Sequence, residues 1–201
     1  MSAEASKMVF EAIKKEPELL LCTATGYSPK GMYRNLCSFG EAHKSDFESI
    51  MVVKLDEWGG IPETQPETCE TYLKTKLLEP LSISSNRYIS FKSDPNDPLV
   101  ECERVEAELE IHGPIDVCIL GLGGNGHLGF NEPATQLAPF CHVAQLTQQS
   151  LQHNMIQSMQ VKPTYGLTLG MKNILSSKRI ILLITGSDKE EAFNHFQKQK
   201  I

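Results

Sequence analysis

Apolar runs of strand length alternate along the chain with stretches of helical period. Residues 3–15 read as a helix, with Met8, Val9, Ala12 and Ile13 on one stripe. Residues 19–24 are a short apolar run of the kind found in strands buried on both faces. Ser28-Pro29 then predicts a helix start, with a hydroxyl N-cap and proline at the first helical position. Residues 50–55 form the next strand, residues 67–79 a helix, and residues 88–91 a shorter strand. Asp97-Pro98 caps a helix that carries Leu99, Cys102, Val105 and Leu109 on a shared face. Residues 117–120 and 180–184 are further buried strands, residues 142–146 and 165–169 also read as strands, and helices fall near 147–159 and 187–199. This alternation predicts an α/β fold: a Rossmann-like three-layer domain with a mainly parallel sheet. No repeat, low-complexity stretch or linker interrupts it, so residues 1–201 are expected to form a single domain.

In open parallel sheets, ligands bind in the crevice at the carboxyl ends of the strands. Four such ends carry polar chemistry here: Thr25 to Ser28, Asp56-Glu57-Trp58, Gly121 to Glu132, and Gly186 to Lys189. Composition narrows the possibilities. The net charge of −6 argues against a nucleic-acid partner, which requires a basic face. No apolar run approaches the ~20 residues that span a bilayer, and Met1-Ser2-Ala3-Glu4-Ala5-Ser6 lacks the features of a signal peptide. The six cysteines include no close pair, so neither a disulfide framework nor a zinc site is expected. The chain reads as soluble and cytoplasmic.

The densest chemistry lies in Gly121-Leu122-Gly123-Gly124-Asn125-Gly126-His127-Leu128-Gly129-Phe130-Asn131-Glu132-Pro133. Glycines let backbone approach a ligand closely, His127 is a natural proton shuttle, and the carboxylate of Glu132 can fix its tautomer. A long glycine-rich turn with a surface histidine is the plainer alternative. The Gly121-x-Gly123-x-x-Gly126 spacing fails as a dinucleotide fingerprint, because no acidic residue ends a strand about 20 residues later. Asp56 at a strand end is a candidate base for a proton beside a carbonyl; adjacent carboxylates point in different directions, so at most one of Asp56 and Glu57 enters a shared pocket, and Glu57 is the alternative base. A helix cap or a solvated acidic loop would account for the same pair. Thr25-Gly26-Tyr27-Ser28 joins a strand to a helix, so its amides suit a phosphate, although a simple cap explains it equally. Lys189 just inside a helix start opposes the helix dipole, which suggests a nearby anion, although a solvated lysine is the commoner case.

Taken in order, these segments resemble the glucosamine-6-phosphate deaminase/isomerase family, most closely its galactosamine-6-phosphate isomerase branch. The matching residues are Ala24-Thr25-Gly26 with Ser28-Pro29, Lys54 to Trp58, Thr68 to Leu73, the Gly121–Pro133 block, Leu167 to Gly170, and Thr185 to Lys189. The resemblance implies that His127 opens the sugar ring, Glu132 orients it, and Asp56 moves the proton between C2 and C1. Asn125 belongs to the same catalytic block. Thr25, Gly26, Ser28 and Lys189 would bind the 6-phosphate of a small-molecule substrate, either galactosamine 6-phosphate or glucosamine 6-phosphate. It implies no metal and no organic cofactor, no nucleic-acid or membrane partner, and is compatible with a homo-oligomer.

Some positions depart from the family pattern. Tyr27 stands where a second glycine is common, which predicts a crowded phosphate loop. Ile156 stands where several glucosamine-type relatives supply a phosphate-binding arginine. Both ends are shorter than the family's usual strand-flanked chain, so an inactive truncated relative is one alternative. A 6-phosphogluconolactonase-like hydrolase is a second, but its block lacks the Phe130-Asn131-Glu132-Pro133 sequence. A non-catalytic sugar-phosphate-binding relative is the third, and it would have no need of Asp56, His127 and Glu132 together.

Overall fold

The computed structural model describes residues 1–151 and 154–198. Its centre is a five-stranded, wholly parallel sheet in the order β4-β2-β1-β5-β8. The strands are β1 (Leu20–Thr23), β2 (Met51–Lys54), β4 (Tyr88–Ile89), β5 (Val117–Gly121) and β8 (Arg179–Leu183). Helices α1 (Ser2–Lys15) and α2 (Tyr27–Ala42) cover one face, where Val9, Ile13, Met32 and Leu36 meet Leu21, Val52 and Ile119. Helix α4 (Pro98–His112) covers the other, with Cys102, Val105 and Leu109 against Leu20, Cys22 and Leu120. Two apolar layers around one sheet account for the uncharged strand runs.

The chain runs outward from β1 to β2 and β4, then returns to place β5 on the other side of β1. The strand order therefore reverses between β1 and β5, and a crevice opens beyond their carboxyl ends. A second sheet forms one of its walls. Immediately after β2, the chain leaves the parallel sheet at Leu55 and enters β3 (Asp56–Gly59). This strand pairs antiparallel with β7 (Tyr165–Thr168), which pairs antiparallel with β6 (His142–Ala144). The Leu169 amide donates to the Leu55 carbonyl at 2.9 Å, joining the two sheets at that bend.

Several expectations need correction. The segments at 142–146 and 165–169 are strands, but of this separate antiparallel sheet, and β3 had no sequence signal of its own. The second helix begins one residue before Ser28: its N-cap is Gly26, and Pro29 lies within the first turn. On α1, Met8 is largely exposed while Phe10 is buried, and on α4 Leu99 is exposed while Glu101 turns inward. Glu101 replaces an apolar contact with hydrogen bonds from the Lys92 amide and the Arg104 guanidinium. Strand β8 is an edge strand, so Arg179 and Ile180 are exposed.

Residues 67–79 form α3 (Cys69–Leu73), capped by the Thr68 hydroxyl, which continues as a π-helical turn to Leu78. Within the helix expected near 147–159, the chain is helical at α5 (Gln148–Leu151) and α6 (Asn154–Gln157), and residues 152 and 153 lie outside the described residues. A short α7 (Met171–Leu175) precedes β8, and α8 (Glu190–Gln197) follows a 3-10 turn at Ser187–Lys189. Residue 199 of that expected helix is also outside the described residues. Among the described residues no helix is long and apolar enough to cross a membrane.

Candidate active site

A cleft of about 600 Å³ opens at the carboxyl ends of the central strands. Four segments supply most of its lining: Ala24 to Ser28 after β1, Leu55, Asp56 and Trp58 at the junction of the sheets, residues between Gly121 and Phe130 after β5, and residues between Thr185 and Lys189 after β8; Cys69 and Ser150 complete it. All four strand ends singled out in the sequence therefore converge.

Asp56 reaches the cleft because it is the first residue of β3, beyond the bend at Leu55. Its Oδ1 is buried with no hydrogen-bond partner among the described residues. Burial pushes the carboxyl up to about 7, with the negative charge of Glu57 adding and Lys54 opposing. Glu57, one residue on, faces away as strand alternation demands. It accepts the amides of Trp58, Cys69 and Glu70 at 2.8–2.9 Å and pairs with the buried Lys54 ammonium at 2.7 Å. Lys54 also reaches Glu70 at 2.8 Å. Burial disfavours that ammonium, but Glu57 and Glu70 outweigh it and keep Lys54 charged. Glu57 is thus a fixed cap for α3 and has no free lone pair aimed at the cleft.

The imidazole of His127 lies flat against the backbone of Gly123. A Cβ at Gly123 would sit 2.4 Å from three ring atoms, so only glycine permits this approach. His127 Nδ1 faces Glu132 Oε2 at 3.5 Å. Burial holds the imidazole below its ordinary pKa, Glu132 opposes this, and Lys189 reinforces it. Near neutral pH the ring is therefore uncharged. Glu132 stands behind the histidine and outside the cleft lining. Its Oε2 accepts from Asn125 Nδ2 at 2.7 Å, and its Oε1 accepts from Thr147 and Ser150 hydroxyls at 3.0 and 2.6 Å. Burial alone would raise Glu132, but these hydrogen bonds and His127 hold it below the usual carboxylate range. Asn125 is exposed; its Oδ1 also accepts the His127 amide at 3.2 Å.

At the other end, Gly26 has φ 111°, a conformation open to glycine, and turns the chain into α2 without any side-chain cap. The amides of that first helical turn are left for a ligand. Thr25 Oγ1 donates to Cys69 Sγ at 3.4 Å, and Ser28 Oγ lies 2.6 Å from Thr185 Oγ1. Lys189 lines the same cleft and pairs with the exposed Asp188 at 3.1 Å. Tyr27 is 83% exposed, so its ring stands at the rim and does not crowd the loop. Ile156 is buried with Trp58, Phe130 and Met159, so no cation comes from that position.

The sequence reading missed Thr185, Cys69, and the Thr147–Ser150 clasp on Glu132. Thr185-Gly186 repeats the Thr25-Gly26 pattern at a strand end, a usable signal; the clasp has none, because it depends on tertiary contact. Among the described residues no group of three or more His, Cys, Asp or Glu side chains could hold a metal ion.

Comparison with known proteins fits this geometry. The chain is 39% identical over 201 residues to AgaI of Escherichia coli (strain K12), a protein that carries a deaminase name, covering 100% of this chain and 80% of that one. It superposes with a TM-score of 0.93 on a structure described as a monomeric glucosamine-6-phosphate deaminase, at 33% identity, covering 100% of this chain and 84% of the other. A 6-phosphogluconolactonase from Thermotoga maritima shares the fold at 17% identity and a TM-score of 0.77, covering 98% and 84%. Residues 1–200 match the family described as glucosamine-6-phosphate isomerases/6-phosphogluconolactonase, and the chain belongs to that family.

Proposed function

We infer that this chain is an amino-sugar-6-phosphate isomerase/deaminase, taking galactosamine 6-phosphate or glucosamine 6-phosphate to the ketose 6-phosphate and ammonia. The observation that carries this reading is the Asp56 carboxyl, its Oδ1 buried without a hydrogen-bond partner among the described residues and its pKa raised to about 7, in one cleft with a neutral imidazole. A base of that pKa suits removal of a carbon-bound proton at neutral pH. The named deaminases among its relatives agree with it.

The 6-phosphate is held by Thr25, Gly26, Ser28 and Lys189, which places the sugar along the cleft toward Asp56. His127, its Nδ1 directed at Glu132, uses Nε2 to take the anomeric hydroxyl proton and return one to the ring oxygen, which opens the ring. The C1 carbonyl then acidifies the C2 proton. Asp56 accepts that proton, and the enolate oxygen O1 takes one from a water molecule in the cleft, giving a C1–C2 enol amine and a hydroxide that the later hydrolysis at C2 consumes. Asp56 returns the proton to C1, which leaves an imine at C2, and water hydrolyses it to the ketone and ammonia. Glu132 stays an anion throughout and orients the imidazole. Asn125 holds Glu132.

Ammonia release should be measured with both hexosamine 6-phosphates beside hydrolysis of 6-phosphogluconolactone. Ammonia from either amino sugar without lactone hydrolysis is the expected result. Lactone hydrolysis alone would transfer the protein to the other activity in its family's description.

A further inference from the structure

The segment Thr68 to Leu73 takes no part in these proton transfers, yet it is fastened to both ends of the cleft. At one end Glu57, next to Asp56, accepts the Cys69 and Glu70 amides at 2.9 and 2.8 Å. This docks the N-terminus of α3 on the strand that carries the base. At the other end, two successive residues of the 25–28 loop are tied to the same helix. Thr25 Oγ1 donates to Cys69 Sγ at 3.4 Å, and the Tyr72 phenol donates to the Gly26 carbonyl at 2.6 Å. Tyr33, from α2, donates in the same way to the Ala24 carbonyl at 2.6 Å.

The direction of these bonds matters for an anion. A carbonyl oxygen turned into the cleft repels a phosphate, whereas one tied to a phenol leaves the neighbouring amides to face it. Gly26 is the residue whose peptide must be oriented, because a residue without a Cβ leaves ψ, −165° here, free to turn its carbonyl either way. Tyr72 does not itself line the cleft. Any effect it has on a ligand passes through Gly26. Burial pushes its phenol up to about 12, so it remains a donor across the working pH range.

We propose that Tyr72 is a positioning residue for the phosphate end of the substrate: its hydroxyl holds the Gly26 peptide in the anion-accepting orientation, and α3 acts as a spacer that fixes the distance from that loop to Asp56. The proposal rests on the sugar-phosphate reading above. In a hexosamine 6-phosphate the phosphate and C2 are separated by a set number of bonds. A rigid spacer between loop and base therefore matches the site to one sugar length.

Tyr72→Phe removes one hydroxyl and keeps the ring that packs in α3. Binding of inorganic phosphate, used as the probe, should weaken about five- to tenfold. KM for the hexosamine 6-phosphate should rise by the same factor, while kcat stays within about twofold because Asp56 and Glu57 are untouched. A general loosening of the fold would lower kcat as well. Equal phosphate affinity in wild type and variant would overturn the proposal, as would a fall in kcat with phosphate affinity unchanged. Failure of the wild-type protein both to bind inorganic phosphate and to turn over a hexosamine 6-phosphate would overturn the functional reading, and the proposal with it.

Discussion

Asp56 lines the cleft and Glu132 stands behind it against His127, and their surroundings drive them in opposite directions. Asp56 opens the small antiparallel sheet, where its Oδ1 meets no donor among the described residues and burial raises the carboxyl to about 7. Glu132 follows the glycine-rich loop, where Asn125, Thr147 and Ser150 all donate to it and hold it low. The two carboxyls thus acquire different chemistry, Asp56 from desolvation and Glu132 from the donors around it, one free to take a proton and the other a fixed anion. Glu57 extends the contrast. It is a direct neighbour of Asp56, yet it is committed to three amides and an ammonium.

That contrast can be broken at each carboxyl. The largest effect should come from Glu57→Ala, which leaves the Lys54 ammonium short of a partner and the Cys69 and Glu70 amides without their acceptor. Removing one member of a buried ion pair costs about 3–5 kcal/mol, readable as a lower midpoint in urea unfolding. Asp56→Asn should leave the fold intact but lower kcat by about 100-fold or more, some 2.7 kcal/mol, with KM little changed. Exchange of the C2 proton with solvent, followed by NMR, should stop in the same variant. Near-normal exchange would remove Asp56 from the role of base.

The raised carboxyl also couples to stability. Its folded pKa lies above the unfolded value, so the stabilising proton is bound below about pH 4 in both states and is lost from the folded state as pH passes 7. Wild-type stability should therefore fall between about pH 4 and 7, and Asp56→Asn should lose that slope, gaining on the order of 1–2 kcal/mol at pH 8. The same titration should appear in activity as kcat/KM that rises with pH through about 7. The smallest effect is expected from Glu132→Gln. It keeps the clasp of Thr147 and Ser150 but removes the charge that supports His127, so ring opening should slow about tenfold, and supplying open-chain substrate should restore the rate.

Much of this was visible in the chain. The alternation of apolar runs and periodic segments determined the α/β class and the five central strands, because strands buried on both faces read as nearly continuous apolar runs, with Lys54 the exception whose charge Glu57 and Glu70 meet. It also determined which turns hold chemistry, since a parallel sheet gathers its strand ends on one side. Adjacency alone implied that at most one of Asp56 and Glu57 enters a shared pocket. What the sequence left open depends on contact between distant segments. The chain's exit from one sheet into another at Leu55 rests on pairing with residues 165–168, more than a hundred positions away. The burial of Ile156, the clasp of Thr147 and Ser150 on Glu132, and the tie from Tyr72 to Gly26 are likewise tertiary. Local pattern sets which face of an element is apolar, but a carboxyl's proton affinity depends on desolvation and donors that arrive only when the chain is packed.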